Sequence, residues 1–178
     1  MAKLAVIING AAEVGKDTFV NLCREPASRL GLTVCNFSSV DKLKEDIFTA
    51  DDPYNRSAEH RQRLVDAKLR IAEEDPVYFA RGMSDQIRQA ARDSVSFLHI
   101  REPEQISLTL GYFASTLEDV TTKTLLIVRS GLFVPANTAD TRVEEYASYD
   151  DVIANNADIE DLALEAQEYV NKIVDSSS

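Results

Sequence analysis

GAAEVGKDT, from Gly10 to Thr18, is the stretch of this 178-residue chain that decides its fold. The apolar run Leu4 to Ile8 precedes it, and a segment with helical periodicity follows it. Two glycines with four residues between them, and a lysine after the second, are typical of a loop that wraps phosphate oxygens. Glycine permits the backbone dihedrals that turn N–H groups inward, and the following helix directs its positive end at the same anion. The sequence therefore predicts a strand, a phosphate-binding loop and a helix.

Within the loop, Lys16 stands where a mobile positive charge reaches the outer phosphates of a nucleotide. The usual motif continues with Ser or Thr, whose hydroxyl binds Mg²⁺, but here Asp17 comes first and Thr18 second. A carboxylate is a hard ligand for Mg²⁺, although it repels a triphosphate when no metal intervenes. Asp17 and Thr18 are thus both candidate metal ligands. The residues expected to bind the nucleotide are Gly10, Ala11, Ala12, Glu13, Val14, Gly15, Lys16, Asp17 and Thr18.

The composition indicates one domain with a sizeable core, since 44% of the residues are hydrophobic and 28% are charged. The formal net charge is −11, from 30 acidic and 19 basic residues. Nucleic acids and anionic membranes attract basic surfaces, so neither is expected as the main partner. A nucleotide stays compatible with this charge, because a few arginines focused in a cleft are enough to hold it.

The sequence also bears on where the protein works. No apolar run approaches the ~20 residues of a membrane span. Met1-Ala2-Lys3 leads directly into the first predicted strand, so no signal peptide is expected. Cys23 and Cys35, the two cysteines, are predicted to be buried thiols, with neither a disulfide nor a zinc site. A cytoplasmic location is therefore expected.

Hydrophobic periodicity predicts strands that alternate with helices along the rest of the chain. One helix is expected over 16–30 with Gly31 as its C-cap, and a short helix is expected to begin at Ser39 or Asp41 as N-cap. Asp75 and Pro76 are predicted as N-cap and first residue of another helix, and Asp158 as the N-cap of the last one. The predicted strands cover residues 4–8, 32–37, 95–100, 124–128 and 149–153. This alternation favours an α/β fold with a parallel, doubly wound sheet and helices on both faces.

In such a sheet, ligands bind at the carboxyl ends of the strands. The polar residues expected at that edge, beyond the loop, are Ser38, Ser39, Asp41, Lys44, His99, Arg101, Arg129, Ser130, Asn155 and Asn156. Arg101 directly follows a buried strand and is suited to bidentate phosphate binding. Asp41 has an alternative role as a helix cap, Lys44 as a solvated helix residue, and His99 as a strand-end histidine for which the sequence reveals no partner carboxylate.

Residues 130–148 show no clear periodicity. Connections of this length are uncommon unless they move or bind something. Arg142 lies in this segment and is a candidate to close over a phosphoryl group in transit. The segment therefore favours a lid over the switch of a nucleotide-binding regulator.

Four short stretches resemble the phage-type deoxynucleoside monophosphate kinases, which belong with other small P-loop kinases, including the animal-type phosphomevalonate and dephospho-coenzyme A kinases. They are GKDT in the loop, DKLKE from Asp41, IREPE from Ile100, and DVIANNADIEDL from Asp151. The islands span nearly the whole chain. The sequence departs from the family at His99, where the family has an aspartate, and this removes a candidate metal-organising or base carboxylate.

The resemblance implies a single kinase-like domain over 1–178, with a five-stranded sheet in the order 2-3-1-4-5. It also implies a helical acceptor-binding insertion around 41–92 and a lid-like region around 130–148. ATP would be the donor and Mg²⁺ the metal. The acceptor would be a (deoxy)nucleoside monophosphate or a similar small phosphorylated molecule.

On this interpretation Lys16, Arg101 and Arg142 are the catalytic residues, and Asp41, Lys44 and Arg101 face the acceptor. Two alternatives stay open: a nucleotide-binding regulator without an acceptor, and a degenerate kinase fold kept as an interaction protein. The chain has no clear N-K-x-D guanine motif, which argues against a GTPase. A homodimer also stays open.

Overall fold

The computed structural model describes residues 3–55, 57–131, 146 and 148–176. The helices and strands in these ranges alternate as the sequence predicts. In chain order they are β1 (Lys3–Asn9), α1 (Lys16–Leu22), α2 (Arg24–Arg29), β2 (Thr33–Ser38), α3 (Asp41–Ile47), α4 (Ala58–Glu74), α5 (Tyr78–Gln89), β3 (Ser94–His99), α6 (Pro103–Thr116), β4 (Val120–Val128), β5 (Asp151–Ala154) and α7 (Ile159–Asp175).

The described strands form one five-stranded parallel sheet in the order β2-β3-β1-β4-β5. This confirms the predicted fold class and strand order. The central strand β1 pairs with β3 on one side and β4 on the other. Its residues Leu4 to Ile8 are all buried, as expected for a strand covered on both faces.

Two apolar cores cover the two faces of the sheet, because successive side chains of β1 point to opposite faces. Val6 and Ile8 belong to the core that also contains Phe19 of α1 and Tyr169 of α7. Ala5 and Ile7 belong to the other core, which helices α3 to α6 complete. No helix within the described ranges is long and apolar enough to cross a membrane.

The helix expected over 16–30 is two helices, and the prediction of one continuous helix is wrong. The first ends at Leu22, the second begins at Arg24, and Cys23 between them keeps a helical conformation (φ −67°, ψ −18°). Pro26 explains the interruption, because it has no N–H to donate to the carbonyl of Leu22 and its ring crowds that carbonyl. Leu30 is the C-cap of the second helix, and Gly31, the predicted C-cap, follows it in the left-handed conformation (φ 74°).

Two predicted N-caps are also wrong. Helix α5 begins at Tyr78, with Val77 as N-cap, because Asp75 and Pro76 form a turn in which the N–H of Tyr78 donates to the carbonyl of Asp75 at 3.0 Å. Helix α3 has Val40 as N-cap and no capping side chain. The carboxylate of Asp41 instead accepts a hydrogen bond from the N–H of Ser38, which lies before the helix.

The two cysteines differ in exposure. Cys23 is fully buried, and burial raises the pKa of its thiol to about 12. Cys35, in β2, is half-buried, so the expectation that both thiols are buried is wrong for it. Neither thiol is in a disulfide.

The cap of α7 generates a stability prediction. Asp158 is its N-cap, as predicted, and its Oδ1 accepts a hydrogen bond from the N–H of Asp161 at 3.0 Å. Replacing a capping side chain by alanine leaves that N–H without its partner. We expect Asp158→Ala to lower the free energy of unfolding by about 1 kcal/mol, measured by urea denaturation. Asp158→Asn keeps an acceptor oxygen, so its free energy of unfolding should fall much less. An equal decrease in both variants would contradict the capping role.

Candidate functional site

The glycines of the loop between β1 and α1 are required by its geometry. Gly10 has φ 147° and Gly15 has φ 98°, both in the region that L side chains rarely adopt. A Cβ on Gly10 would lie 2.4 Å from the carbonyl oxygen of Ile127, and one on Gly15 would lie 2.5 Å from Nδ2 of Asn155. The loop is therefore pressed against the ends of β4 and β5, and only glycine fits at these two positions.

Lys16 begins α1 and folds back over the loop. Its Nζ donates to the carbonyl oxygens of Gly10 at 2.5 Å and Ala11 at 2.6 Å. The ammonium group is thus held at the loop whose phosphate it is predicted to bind. Asp17 and Thr18, the candidate metal ligands, follow on exposed positions of the first helical turn. The described residues contain no cluster of three or more His, Cys, Asp or Glu side chains that could hold a metal ion.

Asn9 ties the start of the loop to two other segments. It is fully buried, and its Oδ1 accepts a hydrogen bond from the N–H of Gly10 at 2.7 Å. Its Nδ2 donates to the carbonyl of Arg101 at 3.2 Å and to the hydroxyl of Tyr149 at 2.7 Å. Asn9 was not among the predicted site residues, although a polar residue at the end of an apolar strand is a signal that could have found it.

Asn155 holds the other end of the loop. It follows β5, is 8% exposed, and donates from Nδ2 to the carbonyl oxygen of Val14 at 2.8 Å. Its own backbone N–H donates to the carbonyl of Val128 at 2.8 Å, which anchors it to β4. The sequence predicted that Asn155 lies at this edge of the sheet, and the structure places its side chain on the loop itself. Its neighbour Asn156 accepts a hydrogen bond from the N–H of Ser130.

His99, at the end of β3, lies in a small polar group beside the loop. Its Nε2 is 2.7 Å from Oδ1 of Asn36 and 3.7 Å from Oδ1 of Asp17. The Nδ2 of Asn36 in turn donates to Oδ1 of Asp17 at 3.4 Å. The structure therefore provides His99 with a carboxylate neighbour from the loop. Asn36 was not predicted, because an exposed asparagine in an edge strand has no distinguishing pattern.

Burial lowers the pKa of His99 below its ordinary value of 6.5, because the charged imidazolium is poorly solvated there. The positive charges of Lys16 and Arg101 lower it further, while Asp17 and Asp41 act in the opposite direction. The ring is thus neutral at neutral pH. Because an ionised carboxylate only accepts hydrogen bonds, Asn36 must turn its amide nitrogen to Asp17 and its oxygen to His99. Nε2 of His99 then carries the proton.

Asp41 and Lys44, predicted to face an acceptor, are brought together after β2. Oδ2 of Asp41 accepts from the N–H of Ser38 at 2.7 Å, and its Oδ1 is 3.1 Å from Nζ of Lys44. Nζ of Lys44 also lies 5.6 Å from the centre of the Tyr54 ring, within the range of a cation–π contact. Lys44 is therefore an ordered, half-buried residue and not a freely solvated one.

Of the two arginines predicted to be catalytic, only Arg101 lies among the described residues. Arg101 is exposed two residues after the end of β3, and its carbonyl accepts a hydrogen bond from Asn9. Its positive charge contributes to the lowered pKa of His99. Arg142 lies outside the described residues, as does most of the region 130–148.

No family model and no curated protein matches this sequence. Among solved structures, the chain is similar to APS kinase CysC from Mycobacterium tuberculosis, in a cysteine-to-alanine mutant (TM-score 0.56) and in a complex with AMPPNP and APS (TM-score 0.55). Each comparison has 12% identity and covers 96% of this chain and 98% of the other. A de novo designed protein with a P-loop NTPase fold aligns with a TM-score of 0.40 at 14% identity, over 97% and 94% of the two chains. At these identities the likeness to APS kinase shows the fold alone, a P-loop NTPase-like fold.

Gly10 and Gly31 allow a matched pair of alanine substitutions. Both glycines have positive φ, but only at Gly10 would an added Cβ meet another atom within 4 Å. Gly10→Ala would place a methyl group against the carbonyl of Ile127 in addition to straining the backbone. We expect it to lower the free energy of unfolding by more than about 3 kcal/mol. Gly31→Ala, with nothing within 4 Å, should cost only about 1 kcal/mol. Denaturation of both variants measures the difference, and equal losses would show that the loop is not pressed against β4.

The burial of His99 and the charges around it predict the pKa shift of its imidazole ring. In the metal-free protein, an NMR titration should give a midpoint below 6.5. Asp17→Asn removes a charge that raises this pKa, so the midpoint should fall further. Arg101→Gln removes a charge that lowers it, so the midpoint should rise. A wild-type midpoint above 6.5, or shifts of the same sign in the two variants, would contradict this account of the electrostatics.

Proposed function

We propose that this protein is a small-molecule kinase that transfers the γ-phosphoryl group of ATP to a (deoxy)nucleoside monophosphate or a similar small phosphorylated acceptor. The proposal rests on the position of the loop next to charged residues from two neighbouring strands. A glycine-framed loop with Lys16 folded onto it lies beside a group of charged and polar residues from the ends of β2 and β3. A donor phosphate on the loop would then face an acceptor held by those residues.

The donor half of the site follows from the loop. Its backbone N–H groups and Lys16 would hold the β- and γ-phosphates, in a loop conformation that the positive φ angles of Gly10 and Gly15 make possible. The exposed oxygens of Asp17 and Thr18 fit a magnesium ion, which typically takes one or two protein ligands and keeps water and phosphate oxygens for the rest. Bound there, Mg²⁺ would neutralise charge on the transferring phosphoryl group.

The acceptor half would be formed by Asp41, Lys44 and Arg101. Arg101 offers a guanidinium suited to the acceptor phosphate, and Lys44 is held in place by Asp41 and Tyr54. Helices α3 to α5 lie between β2 and β3 in the chain and would supply the acceptor-binding region around 41–92. Because phosphoryl transfer needs little covalent chemistry from the protein, positioning and charge would provide most of the catalysis.

The choice of acceptor rests on the resemblance to phage-type deoxynucleoside monophosphate kinases and not on the fold. APS kinase, which shares the fold, has been solved with AMPPNP and APS. The lid-like region around 130–148 and its Arg142 would close over the reacting phosphates. We place the activity in the cytoplasm, where ATP and nucleotides are available.

An ADP-release assay tests the proposal directly. The protein is mixed with Mg·ATP and a panel of ribo- and deoxynucleoside monophosphates, together with mevalonate phosphate and dephospho-coenzyme A. Release that depends on one acceptor would support a kinase and identify its substrate. Slow release that no acceptor stimulates would favour a nucleotide-binding regulator. The absence of both release and ATP binding would favour a degenerate kinase fold.

Lys16 provides the mutational prediction. With the acceptor found in that panel, Lys16→Ala should lower kcat/KM by at least about a hundredfold, since it removes a charge aimed at the transferring phosphate. Circular dichroism should show an unchanged fold. Lys123→Ala removes the same charge from the first half of β4, distant from the carboxyl edge, and should behave as wild type. Retained turnover in Lys16→Ala would contradict the assigned role of the loop.

A further inference from the structure

Asn155 makes a contact that links the far end of the chain to the phosphate loop. The hydrogen bond from its Nδ2 to the carbonyl of Val14 spans 141 positions in sequence and is buried. Its backbone is fixed independently by Val128, so the side chain extends from a rigid part of the sheet. A buried amide with this anchoring can set the orientation of the peptide group that it contacts.

The peptide group in question joins Val14 to Gly15. A peptide unit is planar, and in the trans form its C=O and N–H point in opposite directions. The described residues include no cis peptide bond. Because Asn155 holds the carbonyl of Val14 on its own side, the N–H of Gly15 must point to the opposite side of the loop.

The contact with Gly15 restricts this peptide further. The position of a Cβ on Gly15 lies 2.5 Å from the same Nδ2 of Asn155, so the amide packs directly against the glycine. Gly15 immediately precedes Lys16, whose ammonium group folds back over the loop. Rotation of the peptide would move both the Gly15 N–H and the start of α1.

We propose that Asn155 is a positioning residue for phosphate binding: by holding the carbonyl of Val14, it directs the N–H of Gly15 at the phosphate on the opposite side of the loop. The inference rests on the proposed function in one respect, that this loop binds the phosphates of ATP. It adds a residue outside the loop motif, from the end of β5, to the donor site.

The test is Asn155→Asp, which keeps the size of the side chain but replaces the amide donor by an oxygen. At a pH of about 8.5 the introduced carboxylate would repel the carbonyl of Val14, and we expect the affinity for Mg·ATP to fall roughly tenfold. At a pH of about 5.5 the introduced carboxyl is largely protonated and can donate again, because burial raises the pKa of a carboxyl. Acidic residues that line one cavity with Asn155 favour the same protonation; they are Asp158, Asp161, Glu165 and Glu168.

Dissociation constants are measured by calorimetry across this range, and the ratio of variant to wild type is taken at each pH, which removes the titration of ATP and of the other site residues. The ratio should fall towards one as the pH falls. Asn171→Asp makes the same change on an exposed position of α7, ~18 Å along the helix, and its ratio should stay near one throughout. Asn155→Ala should bind Mg·ATP roughly tenfold more weakly than wild type at every pH, because alanine has no group that could donate a hydrogen bond after protonation.

The outcomes separate the two proposals. If wild type binds Mg·ATP and Asn155→Asp binds equally well at pH 8.5, the positioning role is wrong and the proposed function stands. If the affinity of Asn155→Asp is reduced by the same factor at every pH, together with a lower Tm, Asn155 only supports the fold and the inference is again wrong. If wild type binds no Mg·ATP, the proposed function fails, and the inference fails with it.

Discussion

The structure depends on the close approach between the loop and the strands beside it. Only a hydrogen atom fits between the backbone of Gly10 and the carbonyl of Ile127, so the loop must lie directly on the end of β4. This contact fixes the position of the loop between β1 and α1. Asn9 connects the start of the loop to the segment after β3, because it accepts a hydrogen bond from the N–H of Gly10 and donates one to the carbonyl of Arg101. The donor and acceptor halves of the proposed site are therefore held in one frame by backbone groups and two buried amides, with little reliance on long, flexible side chains.

Much of the fold follows from local pattern. The apolar run of β1, the positive φ angles of the two loop glycines and the cap at Asp158 are local features, and each is found where the sequence predicts it. The strand order came from the resemblance to known kinases, since periodicity does not specify which strands are neighbours. The single helix expected over 16–30 was wrong because the apolar spacing continues through Pro26, while the missing N–H of that residue interrupts the helix.

The site was harder to predict than the fold. Lys16 could be selected from the loop motif, and Asp41, Lys44 and Arg101 because charged residues after strand ends are distinctive. Asn36 was missed, and so was Asn9 despite its place at the end of an apolar strand, because a short amide side chain has the same appearance in a sequence whether it faces water or completes a network. Their partners lie far away in the chain, in segments that only the folded sheet brings together. For this physical reason, residues such as Asn9 and Asn36, which orient other residues, are difficult to identify from a single sequence.

The folded-back position of Lys16 has a consequence for ligand choice. Its ammonium group already has two carbonyl oxygens as partners, so an arriving anion competes with them for the same charge. A chloride ion, with one diffuse charge, has little to offer in such a competition. A polyphosphate brings several concentrated charges and can also engage the loop amides at the same moment. The loop thus carries an internal competitor, which would favour anions of high charge density over diffuse ones.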